Sequence, residues 1–369
     1  MNKLSFAFFL ITILVSSCKD QNHKLDSKID FSYSDDNDQF LNMVSEIRLI
    51  KLRTDTSLVL GSDLNLICYK NEYFIVDKNG AIGIQRFSNN GDFINSIAKR
   101  GRGPNEFIRI KNAQIFEDTV YIFSSPNLNI LKFCLSGEYI GRDSINISAQ
   151  QAFKTHHGYF GYTGYGMDPP YRFIEVKDTV IHNLYKSDEK VLNFTENTNV
   201  FNLLNDTTLL IRETYNNKIL KYNFKNFTDY LEIDFKDYSL NHKFFEFGDP
   251  FKAAEFLLKN SFASIHQFYE NERYIAIEVL ISQKRPEFQY AIFDKRDIDN
   301  KWVWFSLGKV NESVFPGNLK GLVDNKLIFI IDPTLLEYLS DEEKHKISNI
   351  DSLSVNNDVN YLLAEFILK

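Results

Sequence analysis

The sequence predicts an all-β chain, a six-bladed β-propeller with short helical insertions, and three observations carry that prediction. From Met43 onward, short runs rich in Ile, Val, Tyr and Phe alternate with clusters of Asn, Asp and Gly. Examples are "YFIVD", "TVYIF", "KILKYNF" and "KLIFIID", the pattern of strands joined by tight hairpins. The chain also repeats itself: "IQRFSNNGDFI" (84–94) overlays "LKFCLSGEYI" (131–140), with Phe87 on Phe133, Gly91 on Gly137 and Ile94 on Ile140, an offset of 46. "TVYIFSSPNLNILKF" (119–133) overlays "TLLIRETYNNKILKY" (208–222) without gaps at an offset of 89, close to two such units. Finally, a unit of about 45 residues holding several short strands is the size of one propeller blade. Aromatics at 15%, with 33 phenylalanines, supply the bulk that stacked sheets need.

The elements follow in order. "MNKLSFAFFLITILVSSC" places Lys3 before an almost wholly apolar stretch, Leu4 to Val15, and two small residues before Cys18. That is the form of a secretory signal, too short to span a bilayer as a helix. "VSSC" resembles a bacterial lipobox, which makes residues 1–17 a removed signal peptide and Cys18 the acylated N-terminus. Palmitate or similar chains there would each add about 0.8 kcal/mol of membrane affinity per buried methylene. Residues 18–42, polar with few large aliphatics, read as a flexible lipid-anchored tether, and residues 43–369 as the propeller. "SDDND" in the tether has the acids of a calcium loop but neither its central Gly nor its terminal Glu.

Blades are expected near 60–105, 106–150, 151–190, 191–245, 262–305 and 306–369. "DPFKAAEFLLKNSF" (249–262) opens with Asp249 before Pro250, an N-cap followed by a first-turn proline, and reads as a helical insertion, as does "SDEEKHKIS" (340–348). The C-terminal "NYLLAEFILK" is strand-like and is expected to pair with an N-terminal strand such as "SEIRLIKLR", closing the ring so that no sheet edge stays open.

Without residues 1–17 the chain has 41 basic and 49 acidic residues, a net charge of −8, and no clustered Lys and Arg run. A nucleic-acid partner is therefore not expected. Cys68 and Cys134 sit in apolar, strand-like surroundings and read as buried free thiols, with pairing in an exported protein the alternative.

The run from "IRLIKLRTDTSLVLG" through "FINSIAKRGRGPNEF", strongest over residues 47–145 and returning at "NNDVNYLLAEFILK", resembles the six-bladed β-propeller lipoproteins of the Bacteroidetes, which are themselves similar to NHL-repeat propellers. Val359 and Asn360 stand where that family often has an Asn-Pro pair. Lys19 and Asp20 after Cys18 partly resemble the export signal of Bacteroidetes surface lipoproteins, with Gln21 where a second acid would strengthen it. The resemblance implies an outer-membrane lipoprotein, periplasmic or surface-facing, of a family mostly without assigned activity.

Candidate sites are few. "KRGRGPNEF" (99–107) lacks the spacing of a phosphate loop, and Pro104 disfavours helix at Gly103. It reads as a blade-to-blade connector, with Arg102 and Glu106 the residues that could face a ligand. "KTHHGYFGYTGYGMDPPYRF" (154–173) gathers Tyr162 and Tyr165 among glycines, suited to stacking on a saccharide or peptide or to blade packing. Its adjacent His156 and His157 point to opposite faces if the segment is a strand. Asp77, Asp294 and Asp332 each end a strand where a lactonase-like propeller would hold calcium, the one cofactor the sequence leaves open. No "GxSxG" elbow occurs. The expectation is a ligand-binding or protein-interaction module in envelope nutrient handling or sensing, with catalysis left open. A calcium-dependent hydrolase or lyase is the alternative, and an envelope protein partner, such as an importer, remains open.

Overall fold

The structure is a computed structural model that describes residues 25–34, 37–53, 60–125, 128–145, 149–164, 170–178, 180–187, 198–284, 286–307, 309–310, 313–314, 319–331, 333, 347–348 and 361–369. Six antiparallel four-stranded meanders follow one another around a ring. Blade 1 begins with Leu64–Tyr69, blade 2 with Arg109–Phe116, blade 3 with Gln151–Thr155, blade 4 with Phe201–Asn205, blade 5 with Phe262–Glu270 and blade 6 with Leu319–Val323. These first strands are the inner strands and neighbour each other around the central axis. Blade 6 is completed by Lys326–Ile331, Leu362–Leu368 and, from the N-terminal side, Val44–Lys51. The last pairing runs from Val44 opposite Leu368 to Lys51 opposite Leu362, so the ring closes between the two termini as the sequence suggested.

Both repeat offsets have a structural meaning. Gly91 and Gly137 each close the hairpin between the third and fourth strands of a blade, at φ +82 and +89, with their N–H groups bonded to Ser88 and Cys134 carbonyls. A Cβ at Gly91 would stand 2.1 Å from the Lys51 carbonyl of blade 6, and one at Gly137 2.7 Å from the Ser96 carbonyl of blade 1. Each glycine thus lets a hairpin press on the outer strand of the preceding blade. The offset of 89 lays the second strand of blade 2, Thr119–Ser125, on that of blade 4, Thr208–Arg212, two blades away.

Apolar side chains alternate into the gaps between neighbouring sheets. One core cluster joins Phe74, Val76 and Ile84 of blade 1 to Val120, Ile122 and Leu131 of blade 2; another joins blades 5 and 6 through Tyr290, Phe305, Phe329 and Phe366. Polar side chains stitch the inner strands. The Asn112 carboxamide donates to the Ala152 carbonyl at 2.6 Å and accepts from its N–H at 3.1 Å, and Gln114 does the same to Lys154 at 3.0 and 2.7 Å. Gln151 repeats the device on blade 4, donating to the Thr198 carbonyl and accepting from Val200 N–H. Each amide imitates one rung of a β-ladder across a gap that two inner strands leave open, and so satisfies buried backbone groups.

Residues 18–24 of the expected tether lie outside the described residues; for 25–34 and 37–42 the expectation of a flexible segment needs correction. Lys28–Asp30 forms a strand parallel to Phe227–Asp234 on the outer edge of blade 4, and Asp38–Met43 forms a short helix. Phe31 packs on Phe235, Tyr238 and Trp304, while Phe40, fully buried, stacks on Phe305 with centroids 3.7 Å apart. A polar segment can still dock when a few isolated apolar residues each find a socket, and composition alone does not show this. The helix expected at 249–262 is present as Pro250–Lys259, with the Asp249 carboxylate accepting from Phe251 and Lys252 N–H. The one expected at 340–348 lies, for residues 340–346, outside the described residues. Cys68 and Cys134 are both free thiols, as expected, but half-buried rather than buried.

Candidate functional site

Successive antiparallel strands reverse direction, so the second strands end where the inner strands begin. At that entry end of the axis, Lys78 after the second strand of blade 1, Arg109 and Lys111 at the start of blade 2, Gln150 and Gln151 of blade 3 and Tyr162 converge on one cavity of about 140 Å³. Lys320, the second residue of blade 6's inner strand, lies close enough to act on Lys78. A chain with a net charge of −7 has gathered four cations here.

Each cation is placed by its blade. Lys78 lies in the turn that Asp77 caps and is 4% exposed; with the Asn65 amide turned to satisfy its neighbours, its ammonium donates to the Asn65 oxygen at 3.1 Å. Lys111 Nζ donates to the Ala149 carbonyl. Burial pushes the Lys78 ammonium down to about 8; Asp63 opposes the fall and Lys320 and Arg109 add to it. Lys111 is lowered by burial and then by Arg109, and Lys320 is lowered by burial, against Glu278 and Asp63. All three shifts have one origin, cations taken from water without enough countercharge.

Tyr162 completes the cavity. It is 1% exposed, and its hydroxyl has no hydrogen-bond partner; Thr214 lies near it, but not in hydrogen-bond geometry. Burial, then Glu213, holds its pKa far above the usual tyrosine range, so the O–H remains a donor. An unpaired buried donor beside three cations suits an oxyanion, which would return to each group the partner it lost on leaving water.

The other expected residues are placed elsewhere. Asp77 is consumed by its own turn, accepting from Gly61 N–H at 2.7 Å, Asn79 N–H at 3.1 Å and Gly80 N–H at 2.7 Å. Asp294 ends a third strand, at the opposite end of the propeller, where it pairs with Arg273 at 2.8 Å. Asp77 and Asp294 therefore cannot share an ion, because second and third strands end on opposite faces. Asp332, Tyr165 and Cys18 lie outside the described residues, among which no group of three metal-ligating side chains occurs.

"KRGRGPNEF" folds back on itself: Glu106–Phe107 pairs in parallel with Lys99–Arg100, adding a fifth strand to blade 1. Glu106 accepts from Gly103 N–H at 2.7 Å, and a Cβ at Gly101 would stand 2.0 Å from its carboxylate. Phe107 is buried between blades 1 and 2, and Arg142 of blade 2 donates to the Pro104 carbonyl at 2.7 Å. The segment is a connector; Arg102 is exposed on it, and neither it nor Glu106 lines the cavity. Tyr162 was expected as a ring that stacks on a ligand, but that ring is 1% exposed and only its hydroxyl reaches the cavity; Lys78, Arg109 and Lys111 were not singled out by the sequence. Three isolated cations 2 to 33 positions apart form no run, and only the ring brings them together.

Among known proteins, the model of a family described as "Domain of unknown function (DUF4934)" matches residues 26–364. The crystal structure of a candidate exported protein from Bacteroides fragilis NCTC 9343 superimposes with a TM-score of 0.75 at 14% identity, covering 93% of this chain and 99% of that one. A member of the DUF4221 family from Bacteroides vulgatus superimposes at 0.58 with 11% identity, covering 88% and 97%. No curated protein matches.

Proposed function

We propose, for a chain that belongs to the DUF4934 family of domains of unknown function, that it is an exported, lipid-anchored binding module, and that the entry end of its axis receives the carboxylate or phosphate of a small anionic ligand. The observation that carries this reading is the convergence of Lys78, Arg109 and Lys111 with the unpartnered Tyr162 hydroxyl in one cavity. Cations from blades 1 and 2 and a donor from blade 3 are held by separate rigid sheets, so the site is organised before the ligand arrives and little ordering entropy is lost on binding. Cys68 gives no support to a catalytic reading: burial pushes it up to about 12, far from the range of a reactive thiolate.

Export rests on the signal-like N-terminus and is supported by the likeness to a candidate exported protein; anchoring rests on Cys18 of the lipobox-like sequence. Moving a Cys18→Ala variant from the membrane to the soluble fraction checks the anchor. Ligand class is checked by thermal unfolding in sodium phosphate, sodium acetate and sodium chloride at matched ionic strength. A saturable rise in Tm with phosphate or acetate over chloride, lost in Arg109→Ala and Lys111→Met, is expected; at a hundredfold excess over Kd it corresponds to about 2.7 kcal/mol. An equal response to all three salts contradicts the reading.

A further inference from the structure

The geometry points to a second site, a groove for a neutral saccharide between blades 3 and 4. It is independent of the cationic cavity. The groove encloses about 740 Å³ on the same entry face and is walled by Tyr185 and Lys186 at the end of blade 3, by Tyr215 to Lys218 of blade 4, and by Ser239 to Glu246 of the segment leading into blade 5. That volume lies within the range of natural ligand sites and is several times that of the axial cavity.

Its electrostatics differ from those of the axis. Most of the charges that line it have a partner within it: Arg172 lies 2.6 Å from Glu213 and Lys218 2.9 Å from Asp229, while Lys186 and Glu246 stand on the same walls with opposite charges. Such a wall offers planar guanidinium, carboxylate and amide groups to hydroxyls but little net field to an ion. Four aromatic side chains of the Phe and Tyr type line it; Phe235 is buried in its floor, and Tyr185, Tyr215 and Phe245, which come from three different segments, give apolar faces for the C–H side of a sugar ring. A peptide adding as a strand would need open backbone donors, yet Ser187 N–H is bonded to Pro170, Asn216 N–H to Glu213 and Lys218 N–H to the Asn216 side chain.

Backbone strain falls at the same place. Among the described residues three aromatics have left-handed φ, and two of them, Tyr185 at +59 and Tyr215 at +56, line this groove. A bulky residue holds that conformation only where its surroundings over-determine it, and such strain collects at ligand sites. Phe244, fully buried, braces Tyr215 at a centroid distance of 5.5 Å, and the Arg172 guanidinium lies 5.8 Å from the Tyr185 ring centre.

The test uses the purified protein on a microarray of neutral oligosaccharides, with acidic oligosaccharides and a panel of tetrapeptides on the same slide. Hits are then titrated by tryptophan and tyrosine fluorescence. Glycine tolerates the left-handed backbone, so Tyr185→Gly and Tyr215→Gly remove a ring without imposing new strain. The expected result is binding of a neutral oligosaccharide that falls at least tenfold in both variants and is unchanged in Lys78→Met, with Tm retained in at least one tyrosine variant. Absence of any neutral hit, binding of peptides alone, or a neutral hit indifferent to both tyrosines overturns the proposal. A failed phosphate response with an intact saccharide response would sink the axial reading and leave this one standing.

Discussion

The Lys78 ammonium donates to the Asn65 side-chain oxygen across 3.1 Å, a neutral partner for a cation that is only 4% exposed. A charge buried on a dipole is a destabilised charge, and the lowering of its pKa from 10.5 to about 8 reports that cost.

The sign of the pH dependence follows. Between pH 8 and 10.5 the unfolded chain still holds the proton that folded Lys78 has released, so the contribution of this residue to stability rises with pH through that window. At pH 7 its charge costs at most about 3 kcal/mol. Lys78→Met is therefore expected to raise unfolding free energy at pH 7 by about 1–2 kcal/mol, after the loss of the Asn65 bond, and to flatten part of the rise toward pH 10. Urea unfolding at pH 7 and pH 10 measures both; a destabilised variant at pH 7 would contradict the assignment.

The inter-blade amides predict a cost out of proportion to their size. Asn112→Ala leaves the Ala152 N–H and carbonyl without partners in a buried seam, at about 2 kcal/mol. Gln114→Ala should behave alike, whereas Ser144→Ala, on the outer strand of the same blade, should be close to neutral. Chemical denaturation of the three variants decides the matter.

Two glycines make a matched pair. Gly91→Ala meets the Lys51 carbonyl at 2.1 Å from a left-handed backbone and is expected to lose at least about 2 kcal/mol. Gly248→Ala has nothing within 4 Å of the added carbon and should hold or gain stability. A shared response in thermal unfolding would remove the proposed role of Gly91 in pressing blade 1 onto blade 6.

Phe40→Ala separates a docked N-terminal segment from a free one. Fully buried and stacked on Phe305, Phe40 is expected to contribute about 3–5 kcal/mol. An unchanged Tm would restore the tether reading of residues 37–42.

The fold was largely legible because its signals are local. Strand alternation, the Gly91 and Gly137 hairpins and the 89-residue overlay all survive within one or two blades of sequence. The Val44–Lys51 and Leu362–Leu368 pairing was legible for a different reason, since a propeller must close. Docking of Phe31 and Phe40 was not, because isolated aromatics in a polar stretch have no period. Little of the proposed axial site was legible. Tyr162 stood out in an aromatic, glycine-rich segment, but Lys78, Arg109 and Lys111 were single cations in ordinary strands, and their meeting is a property of the ring. Asp77 and Asp294 misled because strand-end acids look alike until strand direction assigns them to opposite faces.

The most direct measurement is isothermal titration of inorganic phosphate into the wild-type protein and Lys78→Met at low ionic strength, at pH 7 and pH 9. The account predicts saturable one-to-one binding at pH 7, weaker binding at pH 9 where Lys78 has lost its proton, and none in the variant. Equal binding by both proteins, or no heat from the wild type at pH 7, would contradict it.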